Sequence, residues 1–294
     1  MGKAISGKHF SYWRPMLAVV FWGVSFIATK YALNELTPRA IILMRLILAI
    51  FFLASFALIT KRSFSIDKKS FWGIFVLAMI SVVHLWIQVT GLKYTSASNT
   101  GWIIGTAPIF IAILGFMFFK ERFSLVQIIG VSIAAFGLLL LISKGDFGNI
   151  DFITNKGDIL ILSSAFTWGV YSIVNKKISL NYPPLMTILF LFLMMAVLIS
   201  PFTVTNSFIR SVFNLSTLGW ISILFLGIFC SGIAYVIWAQ SLKDMQASKV
   251  GVFLYFEPFI TVLAAWVMLN ESITILMIAS GLIITLGVIL VNKN

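Results

Sequence analysis

The chain divides almost end to end into apolar runs of roughly twenty residues, separated by short polar segments. About 20 apolar residues at 1.5 Å rise per helical residue match the ~30 Å hydrocarbon core of a bilayer. Only 10% of the residues are charged, against roughly 25% in a soluble domain that must cover its surface. Mean hydropathy is +1.05, so lipid is the solvent that fits this exterior. No stretch is left over for a soluble domain. The pattern predicts an all-α integral membrane protein.

Ten spans can be drawn: 13–33, 38–60, 70–91, 97–119, 125–142, 158–178, 184–203, 217–239, 247–269 and 275–291. Pro38 and Pro184 open the second and seventh, where a missing N–H costs nothing. Ser124 followed by Gln127 reads as a capping box for the fifth. The loops 143–157 and 204–216 carry Gly, Asp, Asn and Ser and read as surface connections. The run from Trp13 to Leu33 is too long for a signal-peptide core, so it counts as the first span. Cys230 is the single cysteine, which leaves no intramolecular disulfide to form.

The net charge of +12 would point to nucleic acid in a soluble protein. Here it sorts by topology, because cationic loops stay on the cytoplasmic side. With the N-terminus inside, the inner segments hold Lys3, Lys8, Arg14, Lys61, Arg62, Lys68, Lys69, Lys120, Arg122, Lys176, Lys177, Lys243, Lys249 and Lys293. The outer ones hold Arg39, Lys93, Lys144, Lys156 and Arg210, a bias of 14 to 5. Both termini are therefore predicted to be cytoplasmic, in a multi-pass protein of the plasma membrane. The cluster from Lys61 to Lys69 is read as a topology anchor rather than a site for anionic lipid.

The chain also repeats itself. At an offset of 150, Ala97, Ser98, Gly101, Pro108, Glu121 and Gly137 meet Ala247, Ser248, Gly251, Pro258, Glu271 and Gly287 without a gap. At an offset of 146, Trp22-Gly23-Val24 meets Trp168-Gly169-Val170, Lys30 meets Lys176 and Pro38 meets Pro184. The halves are 1–145 and 146–294, with five spans each. Five is odd, so the second half enters from the opposite side: a 5+5 inverted repeat. Inverted repeats suit secondary transporters, since two similar halves can exchange conformations to expose one site to either side.

The segment Gly91-Leu92-Lys93-Tyr94 through Ala97, Pro108 and Glu121 to Gly130 and Gly137, with its counterpart through Pro258 and Glu271, resembles the EamA-type permeases of the drug/metabolite transporter superfamily. The likeness spans nearly the whole chain, though Met277 and Ser280 stand where Gln127 and Gly130 would be mirrored. It implies a ten-helix carrier that exports amino acids or other small metabolites. Arg45 resembles an arginine common in the second span of that family, and its role is read as structural.

Candidate site residues follow from position. Pro108 and Pro258 fall near the middles of matching spans, where a freed carbonyl must face protein or water; a packing kink is the alternative. Two stripes occupy equivalent positions of the first and sixth spans, Trp22, Ser25, Thr29 and Trp168, Tyr171, Asn175. Their spacing sets each on one face. The indoles are expected to line a cavity, and the hydroxyls to bond between helices. The third span presents Ser81, His84, Gln88 and Gly91; the eighth, Ser231, Tyr235 and Trp238; the ninth, Tyr255 and Glu257 before Pro258.

A fold with two similar halves needs its structural residues twice, whereas a substrate is asymmetric. Glu257 faces Ala107, His84 faces Ala234 and Arg45 faces Leu191 under the same offsets. Each is an ionisable group inside a span, at a cost of roughly 2.5–3.5 kcal/mol on insertion scales, so it needs a partner or a wet cavity. Glu257 is a candidate for a substrate ammonium or a coupled proton, the alternative being an ion pair with Arg45 or His84. His84 is the second proton candidate, its alternative a structural hydrogen bond. Lys30 and Lys176 should snorkel, and Glu121 and Glu271 should brace helix ends. Gly130, Ala134, Gly137, Gly281 and Thr285 suit close packing of the terminal helices.

No P-loop, H-E-x-x-H or G-x-S-x-G string occurs, and one mid-span carboxylate is too few for intramembrane hydrolysis. No cofactor or metal is expected, and no nucleic-acid partner. The expected partners are a small-molecule substrate, the lipid bilayer and protons, for a monomer or weak homodimer. A channel or an uptake permease is the rival reading.

Overall fold

The computed structural model describes residues 12–119, 124–143, 145, 156–179, 182–245 and 250–291. Every regular element among the described residues is helical. The first half holds α1 (Trp13–Leu33), α2 (Pro38–Ile59), α3 (Lys68–Tyr94), α4 (Ala97–Ile104), α5 (Ala107–Phe119) and α6 (Leu125–Ser143). The second holds α7 (Lys156–Ser179), α8 (Pro184–Ile199), α9 (Asn206–Phe213), α10 (Thr217–Leu224), α11 (Ala234–Asp244), α12 (Glu257–Leu269) and α13 (Ile275–Val291). A π-helical stretch, Phe225–Ile233, joins α10 to α11 without a break, and a 3₁₀ turn, Val252–Phe256, leads into α12.

Local chemistry sets several starts. Pro38 and Pro184 stand at the first positions of α2 and α8. Ser124 and Gln127 exchange both bonds of a capping box, at 2.8 and 3.3 Å. Asp67 accepts from the Lys69 and Ser70 amides, each at 3.0 Å, and so opens α3.

Among the described residues six helices are long and apolar enough to cross a bilayer, and three shorter ones, Leu125–Leu141, Phe253–Leu269 and Ile275–Leu290, are apolar too. The outside of the bundle is greasy: Phe51 is 69% exposed, Ile59 78% and Ile275 88%. Such a band is stable against acyl chains, not against water.

The structure departs from the sequence reading in three places. The span 97–119 is two helices, α4 and α5, interrupted at Gly105–Thr106. Pro108 and Pro258 are the second residues of α5 and α12. There their missing N–H is one that a helix start leaves unpaired anyway, so they begin helices rather than kink them. The loop 204–216 is not irregular, because Asn206–Phe213 coils into α9 with Thr205 as its cap. The loop around 143–157, Glu121 and most of its neighbours lie outside the described residues.

The most extensive contacts join α6 to α13 and α3 to α7, followed by α1 with α12, α2 with α8 and with the π stretch, and α5 with α7. Small residues permit the closest of these. A Cβ on Gly287 would lie 2.5 Å from the Gly130 carbonyl oxygen, so α6 and α13 meet backbone to backbone. Polar bonds then collect at two rims. One rim joins Arg14 to Asp244 at 2.9 Å and Tyr182 to the Ser65 carbonyl at 2.7 Å. The other joins Glu35 to Ser216, Thr95 to Asp158, and Glu271 to the start of α4.

Candidate functional site

The two interruptions meet at the centre of the bundle. A Cβ added to Gly105 would fall 2.8 Å from Pro258 Cγ, so the break before α5 rests directly on the start of α12. Gly101 approaches Thr261 as closely, with a built Cβ at 2.7 Å from Thr261 Cβ. A half-helix junction of this kind leaves backbone groups unpaired at membrane depth, which is tolerated only against protein or a cavity.

A narrow cavity lies there, with about 40 Å³ open to the centres of water molecules. It is lined by Trp22, Ser25 and Phe26 of α1, Arg45 of α2, and His84, Leu85 and Gln88 of α3. Ile104 and Ala107 flank the first interruption, Leu254 and Glu257 the second, and Trp168 and Tyr235 close the wall. Eight of the residues singled out in the sequence therefore share it: Trp22, Ser25, Arg45, His84, Gln88, Trp168, Tyr235 and Glu257.

The wall is an aromatic cluster. Trp22 packs edge-on against Trp168, Tyr235 and Trp238, with centroids 5.0, 5.6 and 5.1 Å away. Trp168 stacks on Tyr171 at 4.8 Å. Tyr171 and Trp238 lie behind the lining, each 1% exposed, and hold the indoles that do reach it. The Trp22 indole is fixed by donating to the Cys230 carbonyl at 3.1 Å. That carbonyl belongs to the π stretch, whose widened turn re-aims backbone acceptors away from the helix ladder. Nothing in the apolar run 225–233 distinguishes it from an ordinary helix.

The three single-copy ionisable groups converge on this cavity. Arg45 is 4% exposed and donates Nε–H to Ser231 Oγ at 2.8 Å. His84 turns Nδ1 toward the Ser164 carbonyl and Thr167 Oγ1, both at 3.1 Å. Glu257 is also 4% exposed, and its carboxylate makes no ion pair and accepts no hydrogen bond among the described residues. The ion pair with Arg45 or His84, the alternative reading of Glu257, is not formed among the described residues.

Other candidates make their bonds elsewhere. Tyr255 donates its hydroxyl to the Val288 carbonyl of α13 at 2.8 Å. Pro108 and Pro258 shape the two breaks without lining the cavity. Ser25 and Thr29, read as interhelical bonds, instead donate to carbonyls of their own helix at 2.6 and 2.7 Å, the back-bonding common for hydroxyls within helices. Glu271 does brace a helix end, that of α4, through the amides of Ala97 and Ser98 at 2.9 and 3.0 Å. Lys30 lies with it and Lys93 around an opening at the same rim. Phe26, Leu85, Ile104 and Leu254 line the cavity too, and their apolar chemistry in an apolar chain carries no signal.

Known proteins share this plan. The chain is 31% identical over 284 residues to an uncharacterized transporter of Archaeoglobus fulgidus, covering 95% of this chain and 96% of that one. It is 25% identical to the uncharacterized transporter YoaV of Bacillus subtilis, over 94% and 95% of the two chains. A probable amino-acid metabolite efflux pump of Salmonella typhimurium is 25% identical, over 92% and 91%. A solved crystal structure matches in fold with a TM-score of 0.71, over 97% of this chain and 96% of that one, at 15% identity. The family model of the EamA-like transporters matches twice, at residues 12–143 and 155–293. A multi-pass helical bundle matched by that model over both stretches belongs to the EamA-like transporter family.

Proposed function

We propose that this transporter is a secondary carrier that alternates its central cavity between the two faces of the plasma membrane and exports a small metabolite such as an amino acid. The observation that carries the reading is the cavity itself. It sits where two interrupted helices from different halves touch, and it gathers the ionisable residues that have no repeat counterpart. The substrate-binding roles proposed for Trp22, His84, Gln88, Trp168, Tyr235 and Glu257 follow from that placement, with Tyr171 and Trp238 behind them, Pro108 and Pro258 setting the breaks, and Tyr255 tying the second break to α13.

The ten-span 5+5 inverted arrangement, with halves 1–145 and 146–294 and both termini cytoplasmic, belongs to the same reading. It is supported by packing that pairs across the halves: α1 with α12 as α5 with α7, and α2 with the π stretch as α3 with α8. Arg14 and Asp244 fall toward one rim, Lys93 and Glu271 toward the other, in keeping with the charge bias. The name of the Salmonella relative is the ground for an amino-acid substrate. Proton coupling through Glu257 or His84 is part of the proposal, as is a monomer or weak homodimer.

Flux into proteoliposomes decides between a carrier and a channel. A carrier gives saturable uptake of at least one amino acid, accelerated by substrate on the far side. Uptake without saturation or counterflow would establish a channel, and no uptake of any amino acid, with and without a pH gradient, removes the exporter reading.

A further inference from the structure

Arg45 and Glu257 line one cavity as a guanidinium and a carboxyl group that do not bond each other. Such groups buried without a partner are costly, and a structural pair would close into a salt bridge. Here Arg45 is anchored only through Nε to Ser231, at 2.8 Å. A guanidinium has five N–H donors, and the others find no acceptor among the described residues. Glu257 leads α12 with its whole carboxylate uncommitted in the same way. Both side chains line the cavity.

We propose that the cavity binds a zwitterion by its two ends, with the Arg45 guanidinium taking a carboxylate and the Glu257 carboxylate taking an ammonium. This rests on the reading of the cavity as the transport site and names its substrate class. The planar fork of arginine suits bidentate binding of a carboxylate. The indoles of Trp22 and Trp168, 5.0 Å apart, line the cavity between these groups and suit an apolar side chain. The combined charge of the two poles is zero, so a neutral zwitterion enters without leaving either pole unmatched. A ligand with one charged end satisfies one pole and strands the other.

The repeat supports the same assignment. Under the offsets Arg45 corresponds to Leu191 and Glu257 to Ala107, itself a lining residue. A nearly two-fold scaffold has thus been made polar in one direction, which fixes which end of the substrate goes where. His84 is no third pole, because its Nδ1 is turned to Ser164 and Thr167.

The test uses the full chain in proteoliposomes with L-phenylalanine, L-leucine, L-methionine and L-threonine. Each is compared with its N-acetyl derivative, which keeps the carboxylate, and its methyl ester, which keeps the ammonium. Flux and thermal stabilisation of the purified protein are both read. The expected result is that the preferred amino acid outcompetes either blocked form by about tenfold or more. Arg45→Gln should then shift preference to the ester and Glu257→Gln to the N-acetyl form. That reciprocal exchange is something a merely unfolded variant cannot give. Arg45→Lys and Glu257→Asp, which keep the charge, should retain the parental order and serve if the neutral variants do not fold. Blocked forms carried or bound as well as the parent overturn the two-pole proposal and leave the carrier standing. Silence toward all four amino acids in both readouts overturns both.

Discussion

Gly101 and Gly251 are the same residue by the repeat, yet they meet different surroundings. A Cβ on Gly101 would press on Thr261 Cβ at 2.7 Å, an atom fixed to the backbone that cannot swing aside, while around Gly251 there is nothing within 4 Å. Gly101→Ala is expected to lower the melting temperature in detergent, since overpacking costs about 1–3 kcal/mol against a helix-propensity gain of roughly 1 kcal/mol. Gly251→Ala should leave it unchanged or raise it; equal melting of the two variants would contradict the packing. Residue identities were legible at this scale, and so was the odd status of Glu257, His84 and Arg45. Side-chain direction was not. Tyr255 and Trp238 carry the same lining chemistry as Tyr235, and only the tertiary packing turns the first toward Val288 and the second behind Trp22.

Helix starts are held by partners of two kinds, near and far. Near ones follow a spacing rule, which is why Pro38, Pro184 and the Ser124–Gln127 box could be read directly. Far ones have none. Glu35, in the turn after α1, accepts the Ser216 amide at 2.8 Å and the Ser216 hydroxyl at 2.6 Å, at the cap of α10. Those bonds hold the Glu35 carboxyl below its ordinary value of 4.5. A lowered folded pKa means stability that is present above the unfolded pKa and lost as pH falls through the folded one. Wild type should therefore melt above Glu35→Gln near neutrality, and the difference should vanish as pH drops below about 4.5. Thermal unfolding of both proteins across pH checks this, and a gap that persists at low pH would rule it out. The elements hidden from the sequence were of the far kind or were masked by uniformity. The helix α9 sits in a segment rich in loop formers, and the π stretch is apolar throughout.

At the scale of the molecule, the two rims are the testable feature. Cys230 is the single cysteine and is buried, so a Cys230→Ala background carries single cysteines at Ser63 or Ser207, both exposed and assigned to opposite faces. Ser207→Cys should react with an impermeant maleimide in intact cells and Ser63→Cys only after lysis; the reverse order would invert the topology. The number and placing of the apolar runs made the all-helical membrane bundle legible, because a bilayer sets element length by itself. What joins the halves was not legible, since Trp22–Cys230, Arg45–Ser231, Thr261–Gly23 and Glu271–Ala97 lie 208, 186, 238 and 174 residues apart. That separation governs biosynthesis. As the ribosome releases the first half into the membrane, the amides that open α4 and the indole of Trp22 have no acceptor yet, and they wait until almost the whole chain has been made. Residues 1–145 alone are thus expected to form an incomplete intermediate rather than an autonomous folding unit. Residues 1–145 expressed alone should insert yet remain protease-sensitive, and co-expression with 146–294 should restore resistance.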